Sequence, residues 1–162
     1  MRKIVSTPVS LREAQSADEA FLRDLYAAVR WPELTATSWS DAEKRAFCDM
    51  QYTLQDRHYR EHFPGARVWV IMDGEVPIGR LYRAWEKNTL HVLDIALVEV
   101  RRNQGIGTSI VRDLQAEATG NSACILLYVE DDNPALRLYE RLGFVAGESS
   151  GVHRAMTWSP PP

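Results

Sequence analysis

The spacing of apolar residues changes several times along this chain, and each change marks an element. Val9 to Glu13 reads as a short strand. Ser16 and Glu19 form an S-x-x-E capping box that opens a helix, with Phe21, Leu22, Leu25, Tyr26 and Val29 on one face and Pro32 as its stop. A second box, Ser40 with Glu43, opens a longer helix that runs towards His62 and ends at Pro64-Gly65. Between the helices, "WPELTATSW" reads as a loop. The period then changes, and a run rich in Val, Trp and Ile begins. Ala66–Met72, Val76–Trp85 and Leu90–Val100 read as three strands joined at Asp73-Gly74 and Lys87-Asn88, an antiparallel meander.

After two glycines the helical period returns. Ile106, Ile110, Val111, Leu114 and Ala118 share a face, and Gly120-Asn121 close it. Cys124–Val129 is apolar on both faces, the pattern of a central strand. Asn133-Pro134 supplies an N-cap and a first-turn proline for a helix carrying Ala135, Leu138, Tyr139 and Leu142 inward to Gly143. Phe144–Val145 and His153–Trp158 read as a closing hairpin. The order β-α-α-β-β-β-α-β-α-β predicts an α/β domain on a mixed sheet, spanning residues 9–158, with 159–162 a disordered tail.

Composition narrows the function classes. The 162 residues suit one domain, and 45% apolar with 25% charged residues is ordinary for a globular protein. A net charge of -3 argues against bulk nucleic-acid binding but not against a local pocket for a small anion. Cys48 and Cys124 have no metal-type spacing and suggest free thiols in a reducing cytoplasm. No apolar run reaches membrane-spanning length, and the N-terminal stretch lacks a signal-peptide core, so no membrane association is expected.

The stretch "LVEVRRNQGIGTSIV" carries the chemistry. A dinucleotide fingerprint needs a third glycine where Ile110 stands, and a Walker loop needs a lysine that is absent. What remains is Arg-x-x-Gly-x-Gly running straight into a helix. There the first backbone N–H groups are unpaired and can face an anion, with Arg102 adding charge. The alternative is a tight strand-to-helix turn that binds nothing.

Two segments together decide between these. The loop Arg102–Gly107, followed by a buried strand and then by Asn133, Ala135, Tyr139, Gly143 and Phe144 in an N-x-A-x-x-x-Y-x-x-x-G-F pattern, resembles the GNAT superfamily of acetyl-CoA-dependent N-acyltransferases. The order of elements along most of the chain agrees with that family. The resemblance implies the GNAT fold, a mixed central sheet with helices on both faces. It also implies direct transfer of an acetyl group from acetyl-CoA to a primary amine of a small molecule or peptide, without an acyl-enzyme and without a metal. A catalytically silent CoA-binding sensor on the same fold is the alternative.

Residue by residue, the resemblance puts pantetheine against the backbone of Leu97, Val98 and Glu99. It puts the pyrophosphate on Arg102, Asn103, Gln104, Gly105, Ile106, Gly107 and Thr108, and Asn133 on the pantetheine side. Tyr139 is the expected proton donor to the departing thiolate, against the alternative of a core tyrosine. Asp94 shares a strand face with Ala96 and Val98, where a carboxylate can bind the ammonium or take its proton; a salt-bridged aspartate is the competing reading. Glu130 and His91 are weaker candidates for the base. Trp31, Glu33 and Trp39 are expected to shape the acceptor pocket with Asp94 and Glu130, or else simply to anchor a loop. Homodimers are common among proteins that look like this.

The sequence departs from the family at Glu99, where proline is common, at Arg101, where an aromatic is common, and at Asn103, where glycine is frequent. Asparagine is among the residues best able to take a left-handed conformation. "HYREH" (His58–His62) fits the inverted zinc-peptidase pattern but has no supporting carboxylate constellation, and reads as a solvated helix face.

Overall fold

The computed structural model describes residues 9–162. A seven-stranded mixed sheet, in the order β1-β2-β3-β4-β5-β7-β6, runs through the molecule. Its strands are β1 (Val9–Glu13), β2 (Ala66–Asp73), β3 (Val76–Glu86), β4 (Thr89–Leu97), β5 (Cys124–Glu130), β6 (Val145–Ser150) and β7 (His153–Trp158). The helices are α1 (Glu19–Leu34), α2 (Asp41–His62), α3 (Ile106–Gly120) and α4 (Ala135–Arg141). All neighbours are antiparallel except β4 and β5. This is the α/β mixed-sheet class that the pattern predicts.

Each face of the sheet has its own apolar cluster. Leu81, Leu90, Ile110, Leu114, Ile125 and Met156 meet on the face covered by α3 and α4. Leu22, Tyr26, Cys48, Tyr52, Val68 and Tyr82 meet under α1 and α2. Complete burial of a large aliphatic side chain contributes about 1.5–3 kcal/mol, so these two layers hold the helices to the sheet. β5 is less symmetric than its composition suggests: Ile125, Leu127 and Val129 are buried, whereas Tyr128 is 61% exposed. Hydrophobicity on both faces of the sequence therefore does not translate into burial on both faces.

The helix starts divide. Ser40 and Glu43 form the expected reciprocal box: Glu43 N donates to Ser40 Oγ (3.2 Å) and Ser40 N to Glu43 Oε2 (2.7 Å). The Ser16–Glu19 box does not form. Ser16–Asp18 is a single 3-10 turn, and Gln15 and Asp18 make the reciprocal contacts instead. Asp18 is the better partner because Arg12 also reaches it, with both Nη atoms at 2.7 Å. Nor does Pro32 end α1, which continues to Leu34. Proline lacks only one backbone donor, and one turn from the helix end that loss is small enough to absorb. The third strand ends at Leu97 rather than Val100, because Glu99–Arg101 folds into a 3-10 turn.

The Arg12 side-chain bonds, together with the Gln15 N–H, hold the Asp18 carboxyl at about 2, against an ordinary value near 3.8. The lowered value means that the pair stabilises the fold fully above pH 4 and loses that contribution as pH falls towards 2. Arg12 is 42% exposed, so solvent screening limits the effect to on the order of 1–2 kcal/mol. Asp18→Asn should lower stability at pH 7 by that amount and flatten the acid limb between pH 4 and 2, as read by urea denaturation at each pH.

Candidate active site

β4 and β5 pair only from Thr89–Cys124 to Val92–Leu127 and then part company. Beyond that point β4 stays with β3 and β5 stays with β7, which leaves a V-shaped cleft. The cause lies in β4. Val92 pairs with Arg83 and Asp94 with Tyr82, so Leu93 is an extra, unpaired residue, and such a bulge bends a strand away from its neighbour. Tyr59 from α2 pins the bulge by donating its hydroxyl to the Leu93 carbonyl (3.0 Å). Burial first and the Asp94 charge second push this phenol up to about 12.

Past the bulge the backbone alternates. Val98 N–H donates to Ile78 O on β3 (2.9 Å) and so turns away from the cleft. By strand alternation the amide and carbonyl of Leu97 face the cleft, where Arg102 Nε reaches the carbonyl at 3.2 Å. Of the three backbone positions expected at the cofactor, Leu97 thus presents its groups, Val98 has committed its N–H, and Glu99 lies in the 3-10 turn, its carbonyl accepting from Arg102 N.

The loop then forms an anion cradle. Asn103 (φ 59°) and Gly105 (φ 79°) both take left-handed conformations, and Gly105 caps α3 with no side chain satisfying the helix amides. The first α3 backbone bond at this end runs from Ser109 N to Gly105 O, so the amides of Ile106, Gly107 and Thr108 have no helical acceptor. Successive free N–H groups at a helix start bind anions. Gln104 and Arg101 serve the loop itself: Gln104 Nε2 donates to Val100 O, and Arg101 holds Asp73 and Gln104 Oε1.

α4 closes the same end. A Cβ built on Gly107 would lie 3.6 Å from Leu138, which puts the start of α3 against α4. Next to Leu138, Tyr139 is 9% exposed and tilts against Phe144 (centroids 5.5 Å apart). Its hydroxyl makes no hydrogen bond among the described residues. Burial pushes the phenol up to about 12, with the Asp94 charge adding to the shift. Asn133 caps α4 by accepting from Ala135 N at Oδ1 (2.9 Å), which leaves its amide nitrogen free.

On the other side of β4 lies a second, smaller pocket, lined by Leu25, Tyr26, Val29, Arg30, Arg80 and Asp94 among others. Arg80 is 4% exposed and donates from Nε (3.0 Å) and Nη2 (2.5 Å) to Asp94 Oδ2, and also to Gln55 Oε1. Asp94 is therefore the salt-bridged aspartate of the competing reading, yet it still lines the pocket. With Oδ2 committed to the guanidinium, Asp94 keeps Oδ1 for a ligand such as an ammonium.

The other expected acceptor residues lie elsewhere. Trp31 is on helical α1, half-buried against the α1–α2 cluster with Lys44 over its ring. Trp39 is 41% exposed and stacks on Phe47. Glu33 is exposed, and Glu130 faces His153 at 3.8 Å. Because α1 continues through Pro32, the tryptophans anchor a short connection rather than line the pocket. His91, on the paired part of β4, faces Glu86 and Phe63. His58 and His62 stack 4.1 Å apart, and among the described residues no group of three or more His, Cys, Asp or Glu side chains is placed to hold a metal ion.

Arg30, Gln55, Tyr59 and Arg80 escaped the reading of the sequence. Their signal was modest: Tyr52, Gln55 and Tyr59 share one face of α2, and Arg80 interrupts an apolar strand face next to Tyr82.

The family model described as "Acetyltransferase (GNAT) family" matches residues 25–144. No curated protein sequence matches the chain. Among solved structures, PaiA N-acetyltransferase from Thermoplasma acidophilum in complex with coenzyme A superposes with a TM-score of 0.71 at 14% identity, covering 94% of this chain and 99% of that one. Spermidine N-acetyltransferase from Vibrio cholerae in complex with CoA and spermine gives 0.65 at 18% identity, covering 93% and 95%. The yncA protein of Salmonella typhimurium with its cofactor acetyl-CoA gives 0.58 at 17%, covering 93% of each chain. At these identities the likeness is one of fold.

Proposed function

Because the chain belongs to the GNAT acetyltransferase family, we propose that it transfers an acetyl group from acetyl-CoA to a primary amine within the cleft between β4 and β5. One observation carries the reading: unpaired helix-start amides, an opened strand and an unpartnered buried phenol occupy one end of the sheet. Structural relatives that hold CoA or acetyl-CoA support the choice of co-substrate.

In this reading the amides of Ile106, Gly107 and Thr108, with Arg102 and Asn103, hold the pyrophosphate. Gln104 and Arg101 keep the loop in shape. Leu97 N–H takes the thioester carbonyl and stabilises the oxyanion that forms there. Asp94 orients the amine, which gives up its proton to solvent. The amine nitrogen attacks the carbonyl carbon and gives its second proton to solvent as the tetrahedral intermediate collapses, the C–S bond breaks, and Tyr139 gives its proton to the departing sulfur. Solvent then reprotonates Tyr139. Glu99 and Asn133 border the pantetheine arm. Trp31, Glu33, Trp39 and Glu130, expected at the acceptor, have no part in this reading.

Gly105→Val tests the cradle. At φ 79° a β-branched residue is strained, and a Cβ there meets nothing within 4 Å, so the rest of the fold should stand. Acetyl-CoA affinity by calorimetry should drop at least about tenfold, a factor worth about 1.4 kcal/mol. Equal affinity in the variant would remove the loop from the site.

A further inference from the structure

The α1–β4 pocket carries an excess of unspent donors. Arg80 is buried, yet its bonds all leave from Nε and Nη2, so Nη1 has no acceptor among the described residues. Arg30 leans over the Tyr26 ring (5.2 Å to the centroid), is held also by the Tyr26 side-chain oxygen, and reaches the exposed Glu33 carboxylate at 3.8 Å. A guanidinium has five N–H donors, so these contacts leave some of them available. The single carboxylate in the lining is Asp94, and every bond it accepts goes to Oδ2, which leaves Oδ1 free. The lining itself thus holds two guanidinium groups and one carboxylate, with the second carboxylate, Glu33, outside it at 3.8 Å from Arg30.

Such a lining recognises a particular shape of ligand. A polyamine would bring further positive charge against Arg30 and Arg80, at a cost of like-charge repulsion. A carboxylate, by contrast, matches the planar fork of a guanidinium. The free Asp94 Oδ1 beside those donors completes a pair of opposite charges, as a zwitterion requires. The pocket's free volume is about 30 Å³, room for a carboxylate-sized head but not for a whole molecule.

Resting on the acetyl-transfer reading above, we propose that the acceptor is an α-amino acid, or an amine with a carboxylate in the same relation. Arg30 and Arg80 Nη1 take the carboxylate, Asp94 Oδ1 takes the ammonium, and the side chain points outward. The guanidinium donors make the carboxylate the recognised group, and a pocket too small for a whole molecule leaves the side chain outside it.

The test uses the full chain, acetyl-CoA, the free L-amino acids, their carboxamides and spermidine, with thiol release as the readout. At least one free amino acid should exceed its own amide in kcat/KM by about 100-fold or more; a site built for a polar group rejects analogues that lack it by up to about 10⁴–10⁵, and the amide keeps one of the two oxygens. Arg30→Leu, a change on the partly exposed side of α1, should raise KM for that amino acid at least tenfold. The same variant should raise the amide's KM far less, so that the acid-to-amide ratio falls, and Arg30→Lys should restore part of the loss. A preference for spermidine or for amides, or an unchanged ratio in Arg30→Leu, overturns the carboxylate assignment while the transferase reading stands. No turnover with any compound overturns it too, and calorimetry then decides the rest: if acetyl-CoA also fails to bind, the transferase reading falls with it.

Discussion

Tyr139→Phe is expected to lower kcat by about 10²–10⁴-fold, the usual contribution of a positioned proton donor, while acetyl-CoA binds as before. The phenylalanine keeps the ring that packs against Phe144, so the fold and the cleft should survive. What disappears is a proton held in an apolar setting. With its phenol at about 12, Tyr139 stays protonated throughout any practical assay range. It can therefore give a proton at neutral pH, and loss of that proton cannot cause an alkaline decline below about pH 11. A thiolate leaving into a dry cleft without a donor must depart as an anion, which is costly. Stopped-flow or steady-state thiol release measures the loss, and calorimetry the retained affinity. A variant with full turnover would return Tyr139 to the core. A wild type that binds CoA but never turns over would instead identify a sensor.

Arg80→Met should be the most destabilising single change near the site. Removing one member of a buried ion pair costs about 3–5 kcal/mol, because the other charge is left without a partner. Asp94 is 30% exposed on its side chain, so the lower end, about 3 kcal/mol, is expected. The change also removes the donor to Gln55 Oε1 and the cation beside the Tyr52 and Tyr82 rings. Adding Asp94→Leu to the same chain should recover most of that loss, since an apolar pair needs no compensating charge. Urea denaturation of both variants checks this. A single variant within about 1 kcal/mol of wild type would place the pair among exposed, weakly coupled ion pairs.

Most of the architecture was legible in the sequence because it rests on periodicity. The β-branched and aromatic runs of β2 and β3, the helical spacing of Ile106 to Ala118 and the Ser40–Glu43 box are local signals, and the structure keeps them as strands, helix and cap. The failures have tertiary causes. Asp18 displaced Glu19 from the first cap because Arg12 stands across from it. Pro32 failed to stop α1 because the helix had little length left to lose. The break at Leu97, the bulge at Leu93 and the committed Val98 amide follow from pairing with β3, which no local window contains. The candidate site divides in the same way. Arg102–Gly107 and Tyr139 lie in contiguous motifs, whereas Arg30, Gln55, Arg80 and Asp94 come from four separate elements. Trp31 and Trp39, conspicuous in the sequence, pack instead with Lys44 and Phe47.

The central claim is that amine-dependent acetyl transfer takes place in the β4–β5 cleft. Incubating the purified chain with acetyl-CoA and a panel of primary amines, and following free thiol together with the mass of the acceptor, tests it directly. Thiol release should rise with at least one amine and match the N-acetylated product one for one. Tight acetyl-CoA binding with thiol release that no amine raises above hydrolysis would contradict it.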